Sequence, residues 1–142
     1  GFSNYSFHDI TVDNHSNPFL PDGIFPTSEA LFQASKNAND SSYVQRQIQS
    51  KSPKVSKNIA QRLVISEDWT QNKEKIMKDI IRLKFDQHTQ LRETLIRTGL
   101  RKIIFNSRRD DFFGVGQDQE GRNILGKILQ DLREDYQRLL LV

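Results

Sequence analysis

Glu29, Phe32, Gln33 and Lys36 fall at i, i+3, i+4 and i+7. On a helix that spacing puts a carboxylate, an aromatic ring, an amide and an amine on one face. Most amphipathic helices turn an apolar face inward, whereas this face is either partly wet or lines a site. A carboxylate near a helix N-terminus stays ionised, which suits charge stabilisation or a base role. A desolvated amine is a nucleophile and condenses with carbonyl carbon to a Schiff base. Two turns separate Glu29 from Lys36, roughly 10 Å along the axis, and long side chains tilted toward each other can reach a common point. On residue types alone the simplest reading of the pair is a surface ion pair.

The neighbouring sequence must position that face. Pro21-Asp22-Gly23 reads as a turn before the apolar pair Ile24-Phe25. Pro26 keeps the preceding residues extended, Thr27 or Ser28 can cap, and the helix runs to about Ala38. Upstream, Phe2, Tyr5, Phe7, Ile10 and Val12 suggest one or two short strands, which Ile24-Phe25 closes into a small hairpin across a polar loop at 13–23.

Downstream the pattern is helical. A short helix is expected from Tyr43 to Ser50, and Ser52-Pro53 starts another, with Val55, Ile59 and Leu63 as its stripe. Ser66 caps the longest, from Glu67 to about Phe85, whose stripe is Trp69, Ile76, Met77, Ile80, Ile81 and Lys84. A helix from about Gln87 to Thr98 stops at Gly99. Lys102 to Phe105 reads as a buried strand, Asn106 to Gly121 as a long loop, and about Asn123 to Leu141 as the last helix. The expectation is one α+β domain over residues 1–142, mainly helical around a small antiparallel sheet. Its two long loops are candidates for function.

Composition bounds the classes. The chain has 142 residues, long enough for a real core that buries roughly 70% of the unfolded surface. Lys plus Arg is 21 and Asp plus Glu is 18, so the net charge is 21 − 18 = +3, compatible with a phosphate-bearing partner without requiring one. With no cysteine, disulfides, thiolate metal sites and thiol nucleophiles are excluded, and an intracellular setting, cytoplasmic or nuclear, is expected. No run approaches membrane-spanning length. The start Gly1-Phe2-Ser3-Asn4-Tyr5 is no signal peptide and lacks an initiator Met, so the chain reads as a piece of a longer one. A monomer is expected.

Other chemistries find little support. His8, His15 and His88 have no ligand spacing, so no metal is expected. No Ser sits in a Gly-x-Ser-x-Gly elbow. Gly114-Val115-Gly116 is too short for a dinucleotide fingerprint, although it could let backbone approach a phosphate or sugar closely. The loop Ser107-Arg108-Arg109-Asp110-Asp111-Phe112-Phe113-Gly114 is richer. Arginine for phosphate, rings for base stacking and carboxylates for hydroxyls make a binding loop. Composition alone favours the plainer reading, a solvated turn with Phe112 and Phe113 as core anchors.

The ordered set of motifs resembles the NADAR superfamily, which includes the YbiA-like N-glycosidases. It runs Phe2-Ser3-Asn4, then Thr27-x-Glu29-x-x-Phe32-Gln33-Ala34-x-Lys36, Asp68-Trp69, Lys84-Phe85 and Thr98-Gly99. Asp110-x-Phe112-Phe113-Gly114-x-Gly116 and Gly121-x-Asn123-x-Leu125-Gly126 follow. The match extends from Phe2 to Arg133. The family pattern has His-Tyr where this chain has Ala30-Leu31, and Trp where it has Phe113.

The resemblance implies an α+β fold and cleavage of an N-glycosidic bond between ribose C1 and a base or amine, without a cofactor. One branch acts on ribosylamino-pyrimidine intermediates of the riboflavin pathway. Another removes ADP-ribose from modified guanine in nucleic acid or nucleotides, the branch expected here. A binding module for NAD-derived metabolites is a further alternative. Carried onto this sequence, the resemblance implies a covalent lysine–ribose intermediate at Lys36. Glu29 would face the oxocarbenium-like centre, and Asp110 would hold ribose hydroxyls or assist proton transfer. Trp69 and Phe113 would flank base or sugar, Ser3, Asn4, Gly114 and Asn123 would bind hydroxyls and phosphates, and Phe32 and Gln33 would join them in binding substrate. Trp69 reads equally as core, and Asn123 as a helix cap.

Overall fold

A computed structural model describes residues 6–107 and 109–141. Ser3, Asn4 and Arg108 lie outside the described residues. The chain divides into two compact units, residues 1–87 and 88–142.

The first unit holds the hairpin and four helices. Strand β1 (Ile10–Val12) pairs antiparallel with β2 (Gly23–Phe25), Ile10 opposite Phe25 and Val12 opposite Gly23. This two-stranded sheet is the small antiparallel sheet expected. The Gln87 side-chain amide extends it: Thr11 N–H donates to Gln87 Oε1 and Gln87 Nε2 donates to Thr11 O, both at 2.8 Å. One amide thus satisfies a donor and an acceptor of the strand edge.

Helix α1 (Ser28–Ala34) is the centre of this unit, and every one of its residues is buried. Thr27 is its N-cap, accepting from Ala30 N–H at 3.0 Å. The helix tightens into a 3-10 turn over Ser35–Asn37, so Lys36 sits on that turn and not on the α-helix. Around α1 pack α2 (Ser41–Ile48), α3 (Pro53–Ala60) and α4 (Glu67–Gln87). Asp40 and Ser52 cap α2 and α3, and Ser66 Oγ accepts from Trp69 N–H at the start of α4. On α4, Ile76, Ile80, Ile81 and Phe85 are fully buried and bring the long helix onto the core.

The second unit pairs α5 (Thr89–Arg97) with α6 (Ile124–Leu139). Gly99 ends α5 in the left-handed region, φ +65°. The expected strand at Lys102–Phe105 does not form: the segment is irregular. Its backbone is satisfied by side chains, Ile103 N–H donating to Gln130 Oε1 and Phe105 N–H to Asn123 Oδ1. Ile104 is half exposed, so the apolar run is not the interior strand its composition suggests.

Candidate active site on helix α1

Glu29 lies in the first turn of α1 and is only 5% exposed. Gln33, one turn on, donates from Nε2 to Glu29 Oε1 at 2.8 Å. This bond fixes the orientation of the Gln33 amide. Its Oε1 is left buried with no partner among the described residues. The Gln33 backbone carbonyl accepts from Tyr43 Oη at 2.7 Å, tying α1 to α2. The carboxylate is therefore held by a neighbour that is itself braced.

Lys36 is half-buried and lies over an aromatic shelf. Its Nζ is 5.8 Å from the Phe32 ring centroid and 5.3 Å from that of Trp69. The two rings are 5.3 Å apart and tilted by 56°. Both lie within cation–π range of the ammonium. Burial pushes the Lys36 amine below its ordinary pKa, the nearby Glu29 charge raises it, and the Lys73 charge lowers it again. Desolvation dominates, so the neutral, nucleophilic form is more available than on a free lysine.

Trp69 is buried, and its indole N–H donates to Ser35 Oγ at 2.9 Å. Ser35 in turn donates to the Phe32 carbonyl. Ser35 thus locks the two rings under Lys36, a role the sequence reading missed. Its only sequence signal is a small hydroxyl beside the lysine. Glu29, Phe32, Gln33, Lys36 and Trp69 are accordingly brought together in the first unit.

Asp110, Phe113, Gly114 and Asn123 lie in the second unit. Asp110 Oδ1 accepts from Phe112 N–H at 3.0 Å and from Phe113 N–H at 2.9 Å, building the turn of its loop. Phe113 is buried, edge-on to Phe112 at 4.8 Å. Gly114 is required by space: a Cβ there would stand 2.7 Å from Phe105 O and 2.8 Å from Asp110 O. Asn123 precedes α6 in the left-handed region, φ 52°, without a side-chain cap bond. Its amide spans to the 103–105 segment, accepting from Phe105 N–H at 2.7 Å and donating to Ile103 O at 2.9 Å. The N-terminal N–H groups of α6 are taken by the loop: Ile124 donates to Phe112 O and Leu125 to Phe113 O, both at 2.9 Å.

A second perturbed amine escaped the sequence reading. Lys84 is fully buried, donates to Ser6 Oγ at 2.8 Å, and is pushed by burial down to about 8. It lies fifteen residues beyond Trp69 on α4, about 22 Å along the axis at 1.5 Å per residue. That separates it from the shelf under Lys36. Among the described residues no group of His, Cys, Asp and Glu could hold a metal, and no helix is long and apolar enough to cross a membrane.

The chain is 33% identical over 135 residues to N-glycosidase YbiA of Escherichia coli K12, covering 94% of this chain and 79% of that protein. It is 30% identical over 143 residues to N-glycosidase Npun_R5314 of Nostoc punctiforme, covering 98% and 86%. A riboflavin biosynthesis protein of Vibrio vulnificus, VVA0006, is 41% identical over 70 residues, 49% of this chain and 19% of that protein. The NMR structure of E. coli YbiA superposes with a TM-score of 0.82 at 32% identity, covering 99% of this chain and 79% of that one. Ala30 and Leu31, where the family pattern has His-Tyr, are fully buried, so both differences fall in the core. The NADAR domain model matches residues 1–137, and the chain belongs to the NADAR family.

Proposed function

We propose that this protein is an N-glycosidase that cleaves the bond between a ribose C1 and a base, with Lys36 as nucleophile. One observation carries the reading: a partly desolvated amine over two rings, within the field of a buried carboxylate on the helix that leads into its turn. The names of the YbiA and Nostoc relatives support the same bond class.

The neutral Lys36 amine attacks C1, and the base departs with the bonding pair and takes up a proton. Ring opening moves the C1–O4′ pair onto O4′, which is protonated, and leaves an iminium between C1 and Nζ. Water adds to C1, the C–N bond breaks, and the sugar leaves as the free aldehyde, which closes to ribose. Glu29 offsets the positive charge at C1, and Gln33 keeps that carboxylate aimed. Trp69 and Phe32 present apolar faces to base or sugar. In the second unit, Asp110 Oδ2 remains an acceptor suited to a hydroxyl, since both turn bonds go to Oδ1.

The substrate we assign is ADP-ribosylated guanine in nucleic acid or nucleotides, and the mildly basic balance supports a phosphate-rich partner. A second reading, a ribosylamino-pyrimidine of the riboflavin pathway, is favoured by the name of the Vibrio relative. Base release from each substrate, with Lys36→Ala alongside wild type, tests both. Release from the ADP-ribosylated guanine substrate that is lost in Lys36→Ala supports the first, and release from the pyrimidine alone selects the second. Tight ADP-ribose binding with release from neither marks a binding module.

A further inference from the structure

We propose that a groove in the 88–142 unit binds the phosphodiester backbone of a single nucleic-acid strand. This deepens the proposed function by naming a polymeric substrate and rests on that reading for its biological meaning. The groove has a volume of about 780 Å³ and is lined by Lys102, Arg122 and Lys127, with Leu100 and Ile104 on its apolar side. Glu120 is the one carboxylate in the lining, so its charged groups sum to 3 − 1 = +2.

None of the three cations has a carboxylate partner among the described residues. Arg122 is preset: its guanidinium lies 4.8 Å over the Phe112 ring, and its backbone N–H donates to Asp111 O. Leu100 is 93% exposed and Ile104 50%, so the fold leaves aliphatic surface beside the cations. Unpaired cations interleaved with apolar surface suit a chain of phosphates whose sugars and bases lie between them.

A small diphosphate is usually held by convergent backbone donors at a helix N-terminus. Here the first N–H groups of α6 are already bonded to Phe112 O and Phe113 O. What remains is dispersed side-chain charge in an open groove, which matches repeated phosphates and carries no base-specific readout.

The test is fluorescence anisotropy with a labelled, unmodified 12-nucleotide DNA strand, at several salt concentrations, with ADP-ribose as competitor. Wild type is expected to bind with a log–log salt slope of about −2, from three phosphate contacts at roughly −0.7 each. Lys102→Glu/Lys127→Glu is expected to weaken binding by roughly tenfold or more and to flatten the slope to about −0.7, and Lys102→Gln/Lys127→Gln to fall between. Circular dichroism confirms that each variant is folded. Strand affinity within twofold of wild type in the charge-reversed variant overturns the proposal. So does binding of ADP-ribose at this groove without binding of the strand. The strand is unmodified and no turnover occurs, so failure here leaves the N-glycosidase reading standing for free nucleotides. Failure of that reading leaves this measurement unaffected.

Discussion

Gln33 Nε2 donates to Glu29 Oε1 at 2.8 Å across one turn of a helix whose every residue is buried. The pair sets a carboxylate in a fixed place. Its charge acts in turn on Lys36, opposing the effect of burial on that amine. Lys73 acts the other way. The reactivity of Lys36 is thus a balance of three influences that can be changed one at a time.

Glu29→Gln removes the raising influence, so the Lys36 pKa is expected to fall further. Lys73→Ala is expected to raise it. NMR titration of ¹³C-methylated lysine reads both directions. Base release in Glu29→Gln is expected to drop by roughly 10²–10⁴-fold even though the amine is more often neutral, because stabilisation of charge at C1 is lost. Identical Lys36 titrations in the two variants would remove this electrostatic account.

Lys84 gives a pH dependence of stability. Its folded pKa of about 8 lies below the ordinary 10.5. Between those values the unfolded chain binds more protons, so stability rises with pH through the window and the cost of burying the charge is fully present below it. The span corresponds to about 3 kcal/mol. Lys84→Met removes this dependence, so wild type should gain stability relative to the variant from pH 8 to pH 10 in urea melts. A constant difference between the two would contradict the assignment.

The indole N–H of Trp69 is used structurally, through Ser35. Trp69→Phe keeps a ring under Lys36 but removes that donor, and should cost about 1 kcal/mol in urea unfolding. Ser35→Ala should cost at least as much, since Ser35 also donates to Phe32 O. In a double-mutant cycle the two losses should overlap rather than add. Full additivity would mean that the bond does not couple the rings.

Asp110 can be divided into two roles. Asp110→Asn keeps an oxygen for the Phe112 and Phe113 N–H groups, whereas Asp110→Ala removes it. The thermal midpoint should hold in the first and fall in the second. Base release should fall by roughly tenfold or more in Asp110→Asn if the charge serves the chemistry. Unchanged release would confine the residue to building the turn.

Much of this architecture was legible in the sequence. Thr27, Asp22-Gly23 and Ser52-Pro53 announced the hairpin and the starts of α1 and α3 through local capping and turn chemistry. The 69–85 stripe announced α4 by its periodicity. The strand expected at Lys102–Phe105 was wrong, because three apolar residues in a row do not show what their backbone will bond to. There the partners are the side chains of Gln130 and Asn123, distant in sequence. For the same reason Asn123 reads as a cap in sequence and is a strut in space. The spacing of Glu29, Phe32 and Gln33 put them on one helix, whereas Lys36 falls on the 3-10 turn that follows it, and the burial of Glu29 and the bridging role of Ser35 depend on how α1 sits among its neighbours. Lys84 belongs to an apolar stripe, and nothing local says that it stays buried with Ser6 as its partner.

Borohydride reduction during turnover tests the central claim most directly. An iminium between Lys36 Nζ and the sugar C1 would be reduced to a stable secondary amine, and peptide mass mapping would locate it. With an ADP-ribosylated guanine substrate, the expected result is a single ADP-ribose adduct on Lys36, absent without substrate and absent in Lys36→Ala. Turnover that leaves Lys36 unlabelled, or an adduct on Lys84 instead, would contradict the account.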